Sequence, residues 1–184
     1  EWLNDCTAQF CDFVHIVEFT AEPFSFPEWF KYTFPEVIWS DRCVRDDTDI
    51  ERRVNNTLLK GLVNDIEVFR CRGLIDETPH YQQYLAQINA IRHKYPELLL
   101  GAGTFVYMDG FTCSNDEMIA RGYAKGNRLA IVATALAEEV ASGKIDVPGY
   151  RFVESSSIGD VKISSNGSKI NLSKNGITVL IYTK

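Results

Sequence analysis

The sequence predicts an α/β part followed by an all-β part, and three observations predict it. The first is a series of strand-length runs, Phe13–Phe19, Glu36–Ser40 and Asp65–Arg70, whose starts lie roughly 23 to 29 residues apart, close to the spacing of βα units. The first run is nearly continuously apolar, which suits a parallel strand covered on both faces. The second is one clear amphipathic helix from Pro79 to Tyr95. The third is a change of period after Phe105, where short strands alternate apolar and polar residues between Asn-Gly turns.

Taken in order, Glu1–Phe10 reads as a helix end with no visible start, and Phe13–Phe19 as the first strand. Pro23, Pro27 and Pro35 leave room only for a short helix near Glu28–Tyr32. Glu36–Ser40 is the second strand, ending in Asp41-Arg42. Asp46, Asp47 and Asp49 favour the N-terminus of a helix over Ile50–Leu62 through the macrodipole, and Gly61 fits its end. Asp65–Arg70 is the third strand. In the long helix Thr78 is placed to cap and Pro79 suits the first position. Tyr81, Tyr84, Leu85, Ile88, Ile91 and Tyr95 form one apolar face, and Pro96 stops it. Thr104–Met108 reads as a buried strand. Lys125-Gly-Asn127 is a tight turn before a strand over Arg128–Thr134, in which Leu129, Ile131 and Ala133 face one side. Tyr150–Val153, Val161–Ile163, Ile170–Leu172 and Ile177–Tyr182 are further strands, with turns at Asn166-Gly167 and Asn175-Gly176.

Composition narrows the function classes. With 45% hydrophobic and 24% charged residues in 184, the chain can bury a core. A net charge of −6 argues against nucleic acid and against an anionic membrane surface as partner. No apolar run is long enough to cross a bilayer. The chain opens at Glu1 without Met or a signal peptide, so the start is processed or the chain is a fragment. Cys6, Cys11, Cys43, Cys71 and Cys113 lack CxxC spacing and read as buried thiols rather than a disulfide or zinc framework. No nucleotide-binding glycine pattern follows a strand, and no His, Asp or Glu cluster has metal spacing. No cofactor and no metal are expected.

Parallel βα units before an antiparallel sandwich fit a glycosidase-type barrel with a C-terminal sandwich, or a doubly wound domain with a β appendage. The run Leu85-Ala-Gln-Ile-Asn-Ala-Ile-Arg-His-Lys-Tyr-Pro-Glu-Leu-Leu-Leu-Gly101 resembles the last barrel helix of α-galactosidase-like (β/α)8 glycoside hydrolases. The closer resemblance is to an uncharacterised bacterial family of glycosidase-like barrel proteins. Tyr32–Glu36 with Ser40–Arg42, and Asn56 through Asp65–Glu67 to Arg70-Cys71, resemble its late barrel segments. Ile170–Leu172 with Ile177–Leu180 resembles the closing strands of glycosidase sandwiches. The resemblance implies that residues 1–100 are the last βα units of a (β/α)8 barrel and residues 101–184 a C-terminal β-sandwich domain. It implies a carbohydrate substrate, and a partner in the remaining N-terminal barrel segment of the same chain. Location stays open between bacterial cytoplasm, periplasm and secretion. Physics points the same way: three parallel strands cannot close a barrel and leave apolar faces and edges bare.

Barrel chemistry sits where strands end and βα loops begin. Glycoside hydrolysis needs two carboxyl groups, and the preferred pair is Glu22 and Asp41. Glu22 lies in a Pro- and Phe-rich loop, where burial would raise its pKa for acid work; the competing reading is a surface loop glutamate. Asp41 is either an ionised cleft carboxylate or half of a structural ion pair with Arg42. Arg42, Arg70 and Arg72 are placed to hold substrate, or to pair with local acids. Trp29 and Trp39 are sugar platforms or core residues, with core packing favoured, above all for Trp39 within a strand. Glu18 reads as a solvated or paired strand residue, Asp65 and Glu67 as structural ion-pair residues, His15 as a core histidine, and His80 and His93 as helix-surface groups. Three functions compete: a glycoside hydrolase-like enzyme fragment, a non-catalytic carbohydrate-binding or structural β module, and a stand-alone α/β binding domain.

Overall fold

The computed structural model describes residues 11–17, 28–42, 47–64, 74–115, 117–135 and 140–184. Strands β1 (Phe13–Val17), β2 (Ile38–Arg42) and β3 (Val63–Asn64) form a parallel sheet in the order β1-β2-β3. Helices α1 (Glu28–Thr33) and α2 (Ile50–Leu59) are the connections. Both lie on one face. Trp39, Val14 and Leu62 pack with Phe30 of α1, and Thr57 of α2 donates to the Asn64 side chain at 3.0 Å. Asn64 pairs in register with Asp41, two residues from Trp39, so all these side chains share that face. The opposite parity carries Phe13, Ile38 and Val63, exposed at 56%, 47% and 42%. Among the described residues nothing covers these three apolar groups on the second face, although Ser40, which shares their parity, is buried.

Helix α3 (Pro79–Lys94) and the short α4 (Pro96–Leu99) follow. The N-terminal N–H groups of α3 are met from a distance: Asp47 accepts from His80 N at 3.2 Å and Tyr81 N at 2.8 Å. The acid read as a helper of α2 therefore serves α3, and Asp49 instead takes a left-handed backbone at the α2 N-cap, with its carboxylate 2.9 Å from Arg52. Gly61, at φ 69°, turns the chain out of α2, as the sequence suggests.

The rest is antiparallel. A five-stranded sheet runs β4-β6-β7-β12-β9, with β4 at Phe105–Tyr107, β6 at Met118–Lys125, β7 at Arg128–Ala135, β9 at Arg151–Ile158 and β12 at Ile177–Thr183. A four-stranded sheet runs β10-β11-β8-β5, with β5 at Thr112–Cys113, β8 at Ala141–Asp146, β10 at Val161–Ile163 and β11 at Lys169–Leu172. The five-stranded sheet is buried on both sides. Ile119, Tyr123, Ala130, Val132, Val179 and Ile181 face α2, α3 and α4 in one core. Leu129, Ile131, Ala133, Leu180 and Tyr182 face the four-stranded sheet in another. The parity read for β7 holds, yet its second parity is covered as well. Lys94 and Tyr95 tie the end of α3 to β9, with Lys94 Nζ 2.8 Å from Glu154 and the Tyr95 hydroxyl 3.0 Å from Ser156.

Two turns differ from simple hairpins. Only Gly167 has positive φ at Asn166-Gly167, so the β10–β11 loop is longer than a two-residue type I′ turn. Asn175-Gly176 joins β11 to β12 across the two sheets rather than pairing them.

Candidate functional site

Of the residues proposed for chemistry, Glu22, Arg70 and Arg72 lie outside the described residues, as do Glu18, Asp65 and Glu67. Arg42 closes β2 beside Val17 of β1. Trp29 stands in the first turn of α1, 56% exposed, its ring stacked on Phe30 at 3.8 Å between centroids. It is a surface aromatic rather than a core residue; Trp39 holds the core position at 1% exposure. His80 is an exposed partner of Glu51, 2.9 Å away.

Asp41 ends up fully buried on the helix-covered face. It belongs to a group of charges that sequence reasoning did not find. Glu28, at the start of α1, receives two hydrogen bonds from Arg121 of β6, Nε to Oε1 at 2.7 Å and Nη2 to Oε2 at 2.6 Å. The Arg121 guanidinium also donates to the Ala120 carbonyl and sits 4.4 Å from the centre of the Tyr107 ring. Lys60, fully buried where α2 ends, feels this pair and Asp41 together. Burial pushes its ammonium down to about 8, while the carboxylates of Glu28 and Asp41 oppose that and Arg121 adds to it. Two carboxylates and two cations thus share one dry region between α1, β2 and β6. The signal for it was Arg121 itself, a charge in the middle of a strand otherwise able to be buried, which demands a partner.

The N-terminal ends of β2 and β3 hold a different feature. A cavity of about 120 Å³ lies among Lys31, Trp39, Gly61, Arg92 and Tyr123. Lys31 Nζ donates to the carbonyls of Pro35 at 3.0 Å and Val37 at 2.8 Å, and burial pushes it down to about 8 against the opposing charge of Glu36. Tyr123 donates to the Leu58 and Leu59 carbonyls at 2.6 and 3.0 Å. Lys31 and Tyr123, and Arg92 through its 2.8 Å bond to the Leu62 carbonyl, each satisfy backbone carbonyls at turns and element ends, so these groups belong to the scaffold.

The sequence matches no protein-family model and no curated protein. Solved structures do share its fold. A GH30 endoxylanase from Clostridium papyrosolvens C71 aligns over 98% of this chain and 51% of its own, with TM-score 0.51 and 12% identity. An α-amylase from H. orenii aligns over 94% of this chain and 49% of its own, with TM-score 0.51 and 10% identity. An α-amylase from Geobacillus thermoleovorans aligns over 80% and 39%, with TM-score 0.50 and 14% identity. The chain spans about half or less of the length of each, and at these identities the likeness is one of fold.

Proposed function

We propose that this chain is the closing part of a glycoside hydrolase-like enzyme: the last βα units of a (β/α)8 barrel, carried on a C-terminal β-sandwich. The observation that carries the reading is the strand order β1-β2-β3 with both helices on one face and an apolar second face. Right-handed crossovers between strands laid down in sequence keep every helix on one side, which is how a barrel is wound. One half of a doubly wound sheet has the same three-strand order, so the barrel reading leans on the apolar second face and on the fold likeness. Phe13, Ile38 and Val63 then belong to the barrel interior, to be covered by further strands. The fold likeness to the endoxylanase and the amylases supports the same reading and suggests a carbohydrate substrate.

Within it, Glu22 and Asp41 remain the proposed carboxyl pair, with Arg42, Arg70, Arg72 and Trp29 on the substrate. The enclosure of Asp41 beside Lys60 favours the other role open to it, a structural charge. The test is hydrolysis of a panel of aryl glycosides by the full-length parent. Glu22→Gln lowers turnover about 10²-fold or more at unchanged melting temperature if it transfers protons. Unchanged rates remove it from the mechanism, and no hydrolysis by a correctly folded parent sinks the enzyme reading.

A second reading, a non-catalytic carbohydrate-binding role for the β part, is favoured by an open cleft of about 490 Å³ bordered by Tyr150 and Asn166.

A further inference from the structure

We propose that this cleft, between the turn after β8 and the β10–β11 hairpin tip, is a binding site for neutral saccharide, independent of any chemistry at the parallel strands. The inference rests on the reading that carbohydrate is the ligand class.

The cleft is bordered by Asp146, Tyr150, Arg151, Phe152, Asn166 and Tyr182. Its first wall is the turn Val147-Pro-Gly-Tyr150, closed by Tyr150 N donating to Val147 O at 3.2 Å, with Gly149 at φ 79°. Its second wall is the hairpin tip. There Gly167 N donates to Ser164 O at 2.9 Å and Lys169 N to Ser164 Oγ at 2.9 Å. Asn166 Oδ1 accepts from Ser164 Oγ at 2.8 Å, Ser168 N at 3.2 Å and Ser168 Oγ at 2.8 Å. That fixes the amide orientation and leaves its N–H groups as donors. Ile145 N donates to Ser168 O at 2.9 Å and joins the hairpin tip to β8. The floor is the edge-to-face pair Phe152 and Tyr182, 5.6 Å apart, and Tyr182 Oη donates to Gly167 O at 3.0 Å. The walls are therefore in place before a ligand arrives, which keeps the ordering cost of binding low.

The polar groups on this frame suit hydroxyls. Asp146 supplies an acceptor, Arg151 and Asn166 supply donors, and Tyr150 supplies an aromatic ring. Among the described residues no side chain pairs with the Asp146 carboxylate or the Arg151 guanidinium. A sugar presents adjacent groups that both donate and accept, with an apolar C–H face for a ring. The rim carries both signs, Asp146 against Arg151 and Lys184, whose ammonium lies 5.2 Å from the Tyr150 ring centre, so it offers acceptors and donors together. An uncharged ligand rich in hydroxyls uses both.

The test titrates the 184-residue chain with maltoheptaose, xylohexaose and cellohexaose, read by calorimetry and by amide chemical shifts. Binding of at least one, weakened roughly tenfold or more by Tyr150→Ala and by Asp146→Asn, is the expected result. Asp146→Asn is isosteric and exposed, so it carries the test if Tyr150→Ala lowers the melting temperature. Saccharide binding that both variants keep, with shifts elsewhere, overturns the cleft while the carbohydrate reading stands. Absence of binding to all three overturns the cleft, and the hydrolase reading is then decided by the aryl glycoside assay on the parent.

Discussion

Arg121 of β6 grips Glu28 of α1 through two hydrogen bonds of 2.7 and 2.6 Å, across 93 residues of sequence. The side chains are only 6% and 11% exposed, so each charge depends on the other. Losing one partner leaves a buried charge uncompensated. Glu28→Gln or Arg121→Met is expected to cost about 3 to 5 kcal/mol in urea unfolding, and replacing both with apolar residues much less than the sum. Additive losses would show that the two sites act separately.

Asp41 tests the division between scaffold and chemistry. Asp41 is one of two carboxylates that favour the buried Lys60 ammonium, so Asp41→Asn is expected to lower stability by about 1 to 3 kcal/mol, the cost of removing one partner from a buried polar group. A surface pair would give about 0 to 1 kcal/mol. Melting curves distinguish the two. A stable variant with abolished hydrolysis in the parent would instead place Asp41 in the mechanism.

Stability should rise with pH in mild alkali. Lys31 and Lys60 sit at about 8 in the folded chain, against about 10.4 when unfolded. Between those values the unfolded chain binds more protons, so stability increases as pH climbs through the window. Above about pH 10 the sign reverses. Burial pushes Tyr182 up to about 12, and Tyr84 and Tyr123 higher still, so the unfolded chain loses tyrosine protons that the native chain keeps. Urea midpoints at pH 7.5, 9.5 and 11 should peak at the middle value. Lys31→Met and Lys60→Met should flatten the rise.

Gly167 takes φ 72° and lies so close to the Phe152 ring that a Cβ would overlap it. Gly167→Ala should destabilise by about 2 kcal/mol or more and loosen the hairpin tip. A neutral effect on the melting temperature would contradict the packing described.

The uncovered apolar face has its own test. The chain alone should bind a hydrophobic dye or self-associate, and Phe13→Thr with Ile38→Thr should reduce both without lowering the melting temperature. A monomeric wild-type chain with a sharp melt and no dye binding would mean that nothing further packs there.

Local patterns carried much of this fold. Phe13–Val17 read as a strand because it is nearly continuously apolar, and α3 read as a helix because six residues recur on one face. The two-residue turn at Gly126-Asn127 was equally plain. Strands β6 and β8 were not legible, nor were the two-residue strands β3 and β5. Met118–Lys125 is interrupted by Arg121 and Gly122, and Ala141–Asp146 holds Ser, Gly and Lys; pairing to neighbours makes both strands. The run Leu129–Thr134 did carry the sign of double burial, and reading it as simple alternation hid the helix layer on its second side. The charged group was legible only in Arg121, which demands a partner without naming it. Glu28, Asp41, Lys60 and Arg121 have no common spacing, and only the fold makes them neighbours.

The helix pair α2 and α3 is shared property. It closes over the five-stranded sheet with Ile50, Leu58, Ile88 and Ile91 while α2 also backs the parallel strands through Thr57. A cut in the chain near residue 100 would therefore fall at a seam of topology but through the middle of one shared core. The β strands released that way would carry Ile119, Tyr123, Val132 and Val179 bare into water. Transplanting the β part onto another catalytic domain would require moving these helices with it, so the smallest portable piece of this protein begins well before its antiparallel sheets do.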